Sequence, residues 1–165
     1  EMDFQLGGPT DFSTQGRGGQ PCGCGGDAPL LSVPEVHRYT AGRAFRLEEW
    51  PEIIRGVGNG AAKRRFIRWG IALTGDGALI GGIYLYRNDG KVFLGYLLHP
   101  AYWGNGYAFE AVNLVKRYAF GMEYKALHAS VDRRNFASIR LLKDLIFVAW
   151  RVQPDEEIYV CQPFL

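Results

Sequence analysis

The sequence LGYLLHPAYWGNGYAFEA, residues 94–111, carries the strongest structural signal in the chain. It begins as an apolar strand, passes through a short loop that contains Gly104 and Gly106, and continues as a helix. The segment WGNGYA, residues 103–108, would place several backbone N–H groups at the helix N-terminus. Such a terminus binds anions, because its N–H groups point outward and the helix dipole favours negative charge. The stretch therefore predicts a phosphate-binding loop.

The spacing of the loop glycines excludes two common nucleotide-binding motifs. The dinucleotide fingerprint Gly-x-Gly-x-x-Gly requires a third glycine where this chain has Phe109. A P-loop requires Gly-Lys-Ser/Thr, which is absent here. A tight turn that needs small residues would also explain the two glycines. Spacing alone thus leaves two interpretations open, an anion site and a structural turn.

Three predicted strands precede the loop and form a meander. Segments rich in β-branched and aromatic residues alternate with the turn signals TGDG and NDG. Gly95, inside the third segment, predicts a bulge or a close backbone approach. The strands are predicted at residues 65–73, 78–87 and 91–98.

Two predicted helices precede this meander, and helices alternate with strands after it. After the loop, apolar residues at helical spacing predict a helix over residues 107–120, with Gly121 as its C-cap. Before the meander, Pro34 and Pro51 lie near the starts of two predicted helices. The order predicts a mixed α/β, or α+β, domain with helices packed on a central sheet. The other elements are helices at residues 30–39, 47–55 and 136–145 and strands at residues 126–131, 147–152 and 157–161.

Length and composition predict one globular domain with an N-terminal arm. The 165 residues are enough to bury a proper core. Residues 1–26 are glycine-rich and predict a flexible arm or a degenerate first strand, with a short strand possible only at residues 3–6, and residues 27–165 form the domain. A net charge of +2 without a long basic run argues against a nucleic-acid partner. No apolar run of about 18 residues and no signal peptide is visible, which predicts a cytoplasmic protein without membrane partners.

The three cysteines do not predict a covalent or metal framework. An odd count argues against a set of disulfides. Cys22 and Cys24 form Cys-x-Cys in the arm, but nothing nearby supplies the other two ligands that a zinc site needs. We therefore expect no metal.

Two motifs in order resemble the GNAT superfamily of N-acetyltransferases, and most closely its Rim-type branch, which acetylates protein N-termini. The acetyl-CoA signature Gln/Arg-x-x-Gly-x-Gly/Ala falls on residues 103–108, with Trp103 in place of the usual Gln or Arg. The second motif, Asn-x-x-Ser, falls on Asn135 and Ser138. The resemblance spans about residues 29–152. It implies the GNAT fold, a mostly antiparallel mixed sheet that is splayed at the CoA site and flanked by helices.

The resemblance also implies a site for acetyl-CoA as co-substrate. The pantetheine arm would pair with backbone groups of Leu97 and Leu98, as an added strand does. The N–H near Leu98 would stabilise the oxyanion, and Ser138 would help to protonate the leaving thiolate. The implied cofactor-binding residues are Leu97, Leu98, Trp103, Gly104, Asn105, Gly106, Tyr107, Ala108, Asn135 and Ser138.

The activity implied is acetyl transfer to a primary amine by direct attack in a ternary complex. Many relatives carry a glutamate as base on the central strand, where this chain has Phe93. Glu156 or Glu157 is the expected replacement, and with Glu157 the implied catalytic set is Ser138, Leu98 and Glu157. A poor base favours a protein or peptide α-amine, whose pKa lies about one unit above neutral pH, whereas lysine lies about three units above it. The alternatives are a small amine, such as an antibiotic or polyamine, and a non-catalytic acyl-CoA-binding module.

Several other residues keep two interpretations. Tyr84, Tyr86 and Tyr96 alternate along strands and are assigned to packing, although one of them could line the acceptor pocket. His99 is either a proton relay or a structural loop residue.

Ile146 stands where the family has glycine and would be strained at positive φ. A degenerate first strand would leave a sheet edge uncovered, which predicts a homodimer. Candidates for the ribose phosphate, or for a solvated helix face, are Arg133, Arg134 and Arg140.

Overall fold

A computed structural model describes residues 4–6, 33–39, 66–74 and 79–163. The helix predicted at residues 47–55, most of the TGDG turn and the Cys-x-Cys pair lie outside these ranges. Cys161 lies inside them, where its thiol is free and buried.

Within the described residues, seven strands form one sheet in the order β1-β2-β3-β4-β5-β7-β6. Every neighbouring pair is antiparallel except β4 and β5, which run parallel. The predicted mixed and mostly antiparallel sheet is therefore confirmed. The strands are β1 Phe4–Leu6, β2 Phe66–Leu73, β3 Leu79–Asn88, β4 Lys91–Leu98, β5 Leu127–Asp132, β6 Val148–Val152 and β7 Glu156–Cys161.

The first strand is short but takes part in the sheet. Phe4–Leu6 lies within residues 3–6, where the sequence allows a strand, and it pairs antiparallel with the end of β2. The partners run from Phe4 opposite Leu73 to Leu6 opposite Ile71.

In the part of the chain that the structure describes, two α-helices pack on one face of the sheet. They are α1, Tyr107–Gly121, and α2, Phe136–Asp144. The apolar stripe predicted for α1 is buried, and it shares one core with inward side chains of β3, β4, β5 and β7 and with Leu142 of α2. In the described part of residues 30–39, the predicted helix is a 3₁₀ turn, Pro34–His37, that starts at the proline. A second 3₁₀ turn, Pro100–Tyr102, follows β4.

The C-terminus of α1 corrects one prediction. Gly121 is the last helical residue and does not cap the helix, since Met122 is the C-cap and Glu123 takes the left-handed conformation, with φ of 62°. The N–H of Tyr124 then donates to the carbonyl of Ala119 at 3.1 Å, as in a Schellman motif. Tyr124 packs against the core. In a Schellman motif the left-handed residue directly precedes this apolar residue, so the left-handed position falls on Glu123 and not on Gly121.

Gly95 does not form a bulge. The register between β3 and β4 is unbroken from Gly81 opposite Leu98 to Asn88 opposite Lys91. A Cβ at Gly95 would instead overlap the ring of Tyr84, so the close approach is made by a side chain. The irregularities of the sheet lie elsewhere, at Ile80 of β3, which has no ladder partner in β2, and at Trp150 of β6, which has none in β7.

The sheet opens between its two parallel strands. β4 and β5 share a single ladder pair, Phe93 opposite His128. Beyond Phe93 the strands diverge, and residues 94–98 of β4 have no partner in β5. This gap leads to the glycine loop, and it confirms the predicted splay.

Candidate active site

The glycine loop has the backbone conformation of an anion cradle. Gly104 and Gly106 have φ of 77° and 81°, and Gly106 is the N-cap of α1. A Cβ at either position would meet nothing within 4 Å, so backbone conformation and not crowding requires glycine here. The first N–H groups of a helix have no partner inside the helix. The exposed loop therefore offers them to an anion, which fits a pyrophosphate.

Strand alternation decides which backbone groups of β4 face the gap. The N–H of His99 donates to the carbonyl of Ile80 in β3 at 2.8 Å. Because neighbouring residues of a strand point their backbone groups to opposite sides, those of Leu97 also face β3. Those of Tyr96 and Leu98 face the gap. This geometry fits the prediction that backbone groups of Leu98 pair with the pantetheine arm. It does not fit the same prediction for Leu97, because the backbone groups of Tyr96, and not those of Leu97, face the gap.

Trp103 ties the glycine loop to the end of β4. Its indole N–H donates to the carbonyl of Leu98 at 2.8 Å. The side-chain amide of Asn105 donates to the carbonyl of Trp103 at 3.1 Å. Asn105 thus turns back onto its own loop.

A cavity of about 790 Å³ joins these parts. It extends from the glycine loop along the open end of β4 to the first turns of α2, and its size is ordinary for a small-molecule site. All of the predicted cofactor-binding residues except Asn105 line it. These are Leu97, Leu98, Trp103, Gly104, Gly106, Tyr107, Ala108, Asn135 and Ser138.

Ser138 is held in this cavity by its own helix and by β4. The side chain of Asn135 caps α2 by accepting from the Ser138 N–H at 3.2 Å. The Tyr96 hydroxyl donates to Ser138 Oγ at 2.9 Å. Burial raises the pKa of Tyr96 to about 12, although the hydrogen bond to Ser138 opposes that rise. Tyr96 is therefore a protonated donor at any neutral pH.

A family model described as an acetyltransferase (GNAT) domain matches residues 27–148. The chain belongs to this GNAT family. The match confirms the resemblance on which the fold and the activity class were predicted.

Two curated relatives of the GNAT domain are both described as uncharacterized N-acetyltransferases. Protein p20 of Bacillus licheniformis is 28% identical over 130 residues, which cover 73% of each chain. YoaA of Bacillus subtilis strain 168 is 35% identical over 89 residues, 52% of this chain and 50% of YoaA. The matched segment thus spans half the length of YoaA.

Solved structures share the fold at low identity. An acetyltransferase of Bacillus anthracis has a TM-score of 0.72 at 21% identity, covering 84% of this chain and 88% of its own. Spermidine N-acetyltransferase of Vibrio cholerae, solved with CoA and spermine, has a TM-score of 0.76 at 14% identity, covering 97% and 95%. Mycobacterium smegmatis RimJ, solved with CoA-disulfide, has a TM-score of 0.69 at 16% identity, covering 82% and 77%.

The structure does not bring Glu157 to Ser138. The Glu157 carboxylate accepts from the Tyr159 hydroxyl at 2.6 Å and lies 3.5 Å from Arg133 Nε. Glu156 accepts from the hydroxyl of Ser130. Glu156 thus contacts β5, whereas Glu157 contacts its own strand β7 and the residue that follows β5, and neither carboxylate lines the cavity. The predicted replacement base is therefore not among the residues of this cavity.

Two other carboxylates of the described residues do line the cavity. They belong to Glu35 and Asp144. Asp144 lies 3.9 Å from the guanidinium of Arg140 on the next turn of α2. Glu35 is exposed and belongs to the 3₁₀ turn Pro34–His37. Sequence reasoning missed Glu35, because no motif marks it.

The position of the missing glutamate is apolar. Phe93 is buried, and its ring lies 5.4 Å from that of Tyr86 and 5.3 Å from that of His128, between centroids. His99 is structural, since its Nδ1 accepts from the Ala101 N–H at 3.2 Å and it does not line the cavity. At the position where relatives carry a glutamate, Phe93 thus packs as an apolar side chain of the sheet.

Only one of the three candidate arginines reaches the cavity. Arg133 contacts Glu157, and Arg134 makes two side-chain hydrogen bonds to Asp132, at 2.9 and 2.7 Å. Arg140 lines the cavity. Within the described ranges, no cluster of His, Cys, Asp and Glu could hold a metal ion. No helix in the same ranges is long and apolar enough to cross a bilayer.

Proposed function

We propose that this GNAT domain transfers an acetyl group from acetyl-CoA to a primary amine, with a protein or peptide α-amine as the favoured acceptor. The observation that carries the proposal is one cavity with an anion cradle at one end and the Tyr96–Ser138 pair at the other. Acetyl-CoA supplies an activated acetyl thioester when it is bound.

The chain would bind this co-substrate mainly through its backbone. The N–H groups of residues 104–108 would hold the pyrophosphate, and Arg140 is the arginine best placed for another phosphate. The Leu98 N–H, which faces the gap, would donate to the oxyanion that forms at the thioester carbonyl. One such donor is worth about 3–4 kcal/mol in acyl transfer.

The Tyr96–Ser138 pair would stabilise the leaving group by hydrogen bonding. Ser138 Oγ accepts from Tyr96, so its own proton is available to the sulfur. The pKa of Tyr96 is about 12, whereas a thiol has a pKa of about 8.5. A proton would therefore not pass from Tyr96 to a thiolate at equilibrium. The pair would act as an oriented donor, and the thiolate would take its proton from solvent.

The amine would lose its proton to a carboxylate that lines the cavity. Glu35 is the candidate, because Asp144 is already paired with Arg140. The amine nitrogen would then attack the thioester carbon and give up its second proton to solvent, the carbon–sulfur bond would break, and CoA would leave as the thiolate. An α-amine has a pKa of about 8, so deprotonation costs about 1 kcal/mol near neutral pH, which an exposed carboxylate can assist.

The test is binding followed by turnover. Thermal melting with acetyl-CoA comes first, and CoA thiol release is then measured with three acceptors: peptides with a free α-amine, the same peptides blocked at that amine, and spermidine. We expect stabilisation, and fastest release with the free α-amine. No stabilisation would overturn the proposal. Turnover only with spermidine would move the acceptor to a small amine, and stabilisation without turnover would indicate a binding module.

Paired substitutions test the assignment of the base. E35Q should lower kcat/KM at pH 7 about tenfold, which corresponds to the cost of about 1 kcal/mol for deprotonating an α-amine. E157Q removes the carboxylate that lies outside the cavity, and it should leave kcat/KM within about twofold. The reverse order of effects would restore Glu157 as the base.

A further inference from the structure

The peptide unit that joins Leu98 to His99 is held at both ends. Its N–H, from His99, donates to Ile80 of β3 at 2.8 Å. Its carbonyl, from Leu98, accepts the indole N–H of Trp103, also at 2.8 Å. The two bonds leave the end of β4 in opposite directions, one toward the sheet and one toward the glycine loop. The last peptide of the strand is therefore fixed against rotation.

We infer that Trp103 is a positioning residue for acetyl transfer, which it serves by holding the Leu98 carbonyl and thereby the direction of the Leu98 N–H. The inference rests on the proposed function, in which that N–H faces the oxyanion. Within a strand residue, the N–H and the carbonyl point to the same side, but they belong to two successive peptide units that meet at the residue's Cα. A bond to the Leu98 carbonyl fixes the second of these units and so limits the rotation about the Leu98 Cα that would turn the Leu98 N–H away from the gap.

The gap between β4 and β5 leaves the hydrogen bond from Trp103 to hold the end of β4 on that side. A strand inside a sheet is held from both sides, but β5 pairs with β4 only at Phe93. At Leu98 the gap side of β4 has no strand neighbour. Among the described residues, Trp103 supplies the hydrogen bond on that side.

The same residue begins the anion cradle. Its N–H donates to the carbonyl of Pro100 at 3.1 Å, and its carbonyl accepts from the Asn105 side chain at 3.1 Å. Trp103 is therefore bonded within the loop through its backbone and to β4 through its side chain. An anion bound by the loop and an oxyanion at Leu98 would be held by one connected set of hydrogen bonds.

We assign the role of Trp103 to its indole N–H and not to packing, because the ring is only partly buried. Trp103 is 47% exposed, which is far from a packed core position. Replacement by phenylalanine keeps a ring and removes the donor. Replacement by glutamine restores a donor without the ring. The two variants separate the hydrogen bond from the packing of the indole.

Two measurements test the inference. W103F should lower kcat about tenfold while KM for acetyl-CoA stays within about twofold, as for an interaction made only in the transition state. W103Q should recover kcat to within about threefold of the natural enzyme. Amide exchange of His99, followed by NMR in the free protein, should rise about tenfold in W103F and less in W103Q. The matched control is W150F, because Trp150 is 48% exposed and lies on the edge strand β6.

The possible results separate the inference from the proposed function. Unchanged kcat and unchanged exchange in W103F would overturn the inference while the proposed function stands. A loss in W103F that appears in KM alone would also overturn it, because Trp103 would then only bind the co-substrate. If the natural protein releases no thiol with any amine, the proposed function fails and the catalytic role of Trp103 fails with it. Exchange would then still report whether the hydrogen bond exists.

Discussion

The Tyr96 hydroxyl donates a 2.9 Å hydrogen bond to Ser138 Oγ and so joins two elements that lie 42 residues apart in the chain. Tyr96 belongs to β4 and Ser138 to the first turn of α2. Both line the cavity that also contains the glycine loop. The bond therefore connects the wall formed by the open strand with the wall formed by the helix.

Loss of this bond should reduce turnover more than affinity. Y96F removes the donor, and S138A removes its acceptor and the group that would face the sulfur. We expect each to lower kcat about tenfold or more, with KM for acetyl-CoA nearly unchanged. The double variant should be little worse than S138A, because Tyr96 acts through Ser138. Additive losses in steady-state kinetics would show that the two side chains act separately.

The glycine loop should reject negative charge. G106D and G106N place side chains of nearly equal size at a position with φ of 81°, which Asp and Asn both tolerate better than other residues. Calorimetry should show acetyl-CoA affinity reduced about 100-fold by Asp and about tenfold or less by Asn, since only Asp repels a phosphate. Salt should weaken the difference. Equal losses would indicate that the loop does not bind an anion.

Ile146 carries backbone strain that glycine would relieve. It has φ of 67°, and its N–H and that of Phe147 donate to Lys143 and Leu142, which closes α2 with a Schellman motif. The left-handed conformation costs an L-residue about 1–2 kcal/mol. Glycine avoids this cost, but its greater conformational freedom in the unfolded chain lowers stability by about 0.5–1 kcal/mol. I146G should therefore raise the free energy of unfolding by about 0.5–1 kcal/mol, measured by urea denaturation.

An edge-strand valine provides the matched control for I146G. Val152 is 59% exposed, close to the 52% of Ile146, but it has no positive φ. V152G should therefore lower stability, because glycine weakens a strand without relieving strain. If both variants lower stability, the strain at Ile146 is too small to matter.

Asp132 should make stability depend on acid pH. Hydrogen bonds from the side chain and backbone of Arg134 hold the pKa of Asp132 at about 2, below its usual value of 3.8. A folded-state pKa below the unfolded one stabilises the protein above about pH 4, and this contribution is lost as pH falls toward 2. The melting temperature of D132N should therefore differ most from that of the natural protein above pH 5, and the difference should shrink below pH 4. A constant difference from pH 6 to 2 would contradict this.

A control variant separates this ion pair from general surface charge. Asp144 lies 3.9 Å from Arg140, without the bidentate geometry of the Asp132–Arg134 pair. D144N should leave the curve of melting temperature against pH close to that of the natural protein, because exposed single contacts contribute little.

The parts of the fold that local sequence determines were predicted closely. The strand predicted at residues 91–98 is β4, Lys91–Leu98, because apolar residues and flanking turns mark both of its ends. The buried stripe of α1 follows from 3.6-residue spacing alone. The glycine loop was found because two glycines, a preceding strand and a following helix are all local features. These are the elements whose signals lie within about twenty residues of one another.

The catalytic contacts depend on register and on packing between elements, which spacing does not reveal. Glu157 lies opposite Val131, and Glu156 lies opposite Asp132, so a shift of one residue in β7 would exchange the two carboxylates between faces. Tyr96 alternates with other inward side chains of β4 and was assigned to packing, because the position of α2 over it could not be read from the sequence. Glu35 lines the cavity although it lies far from the other lining residues in the sequence.

The single ladder pair between β4 and β5 gives the protein an internal sheet edge. Exposed strand edges are an aggregation hazard, because their unpaired N–H and carbonyl groups can recruit another chain. Here the groups of Tyr96 and Leu98 lie inside a cleft that α2 and the glycine loop border. A sheet that opens in its interior thus provides unpaired backbone groups for a ligand without exposing a strand edge to other chains.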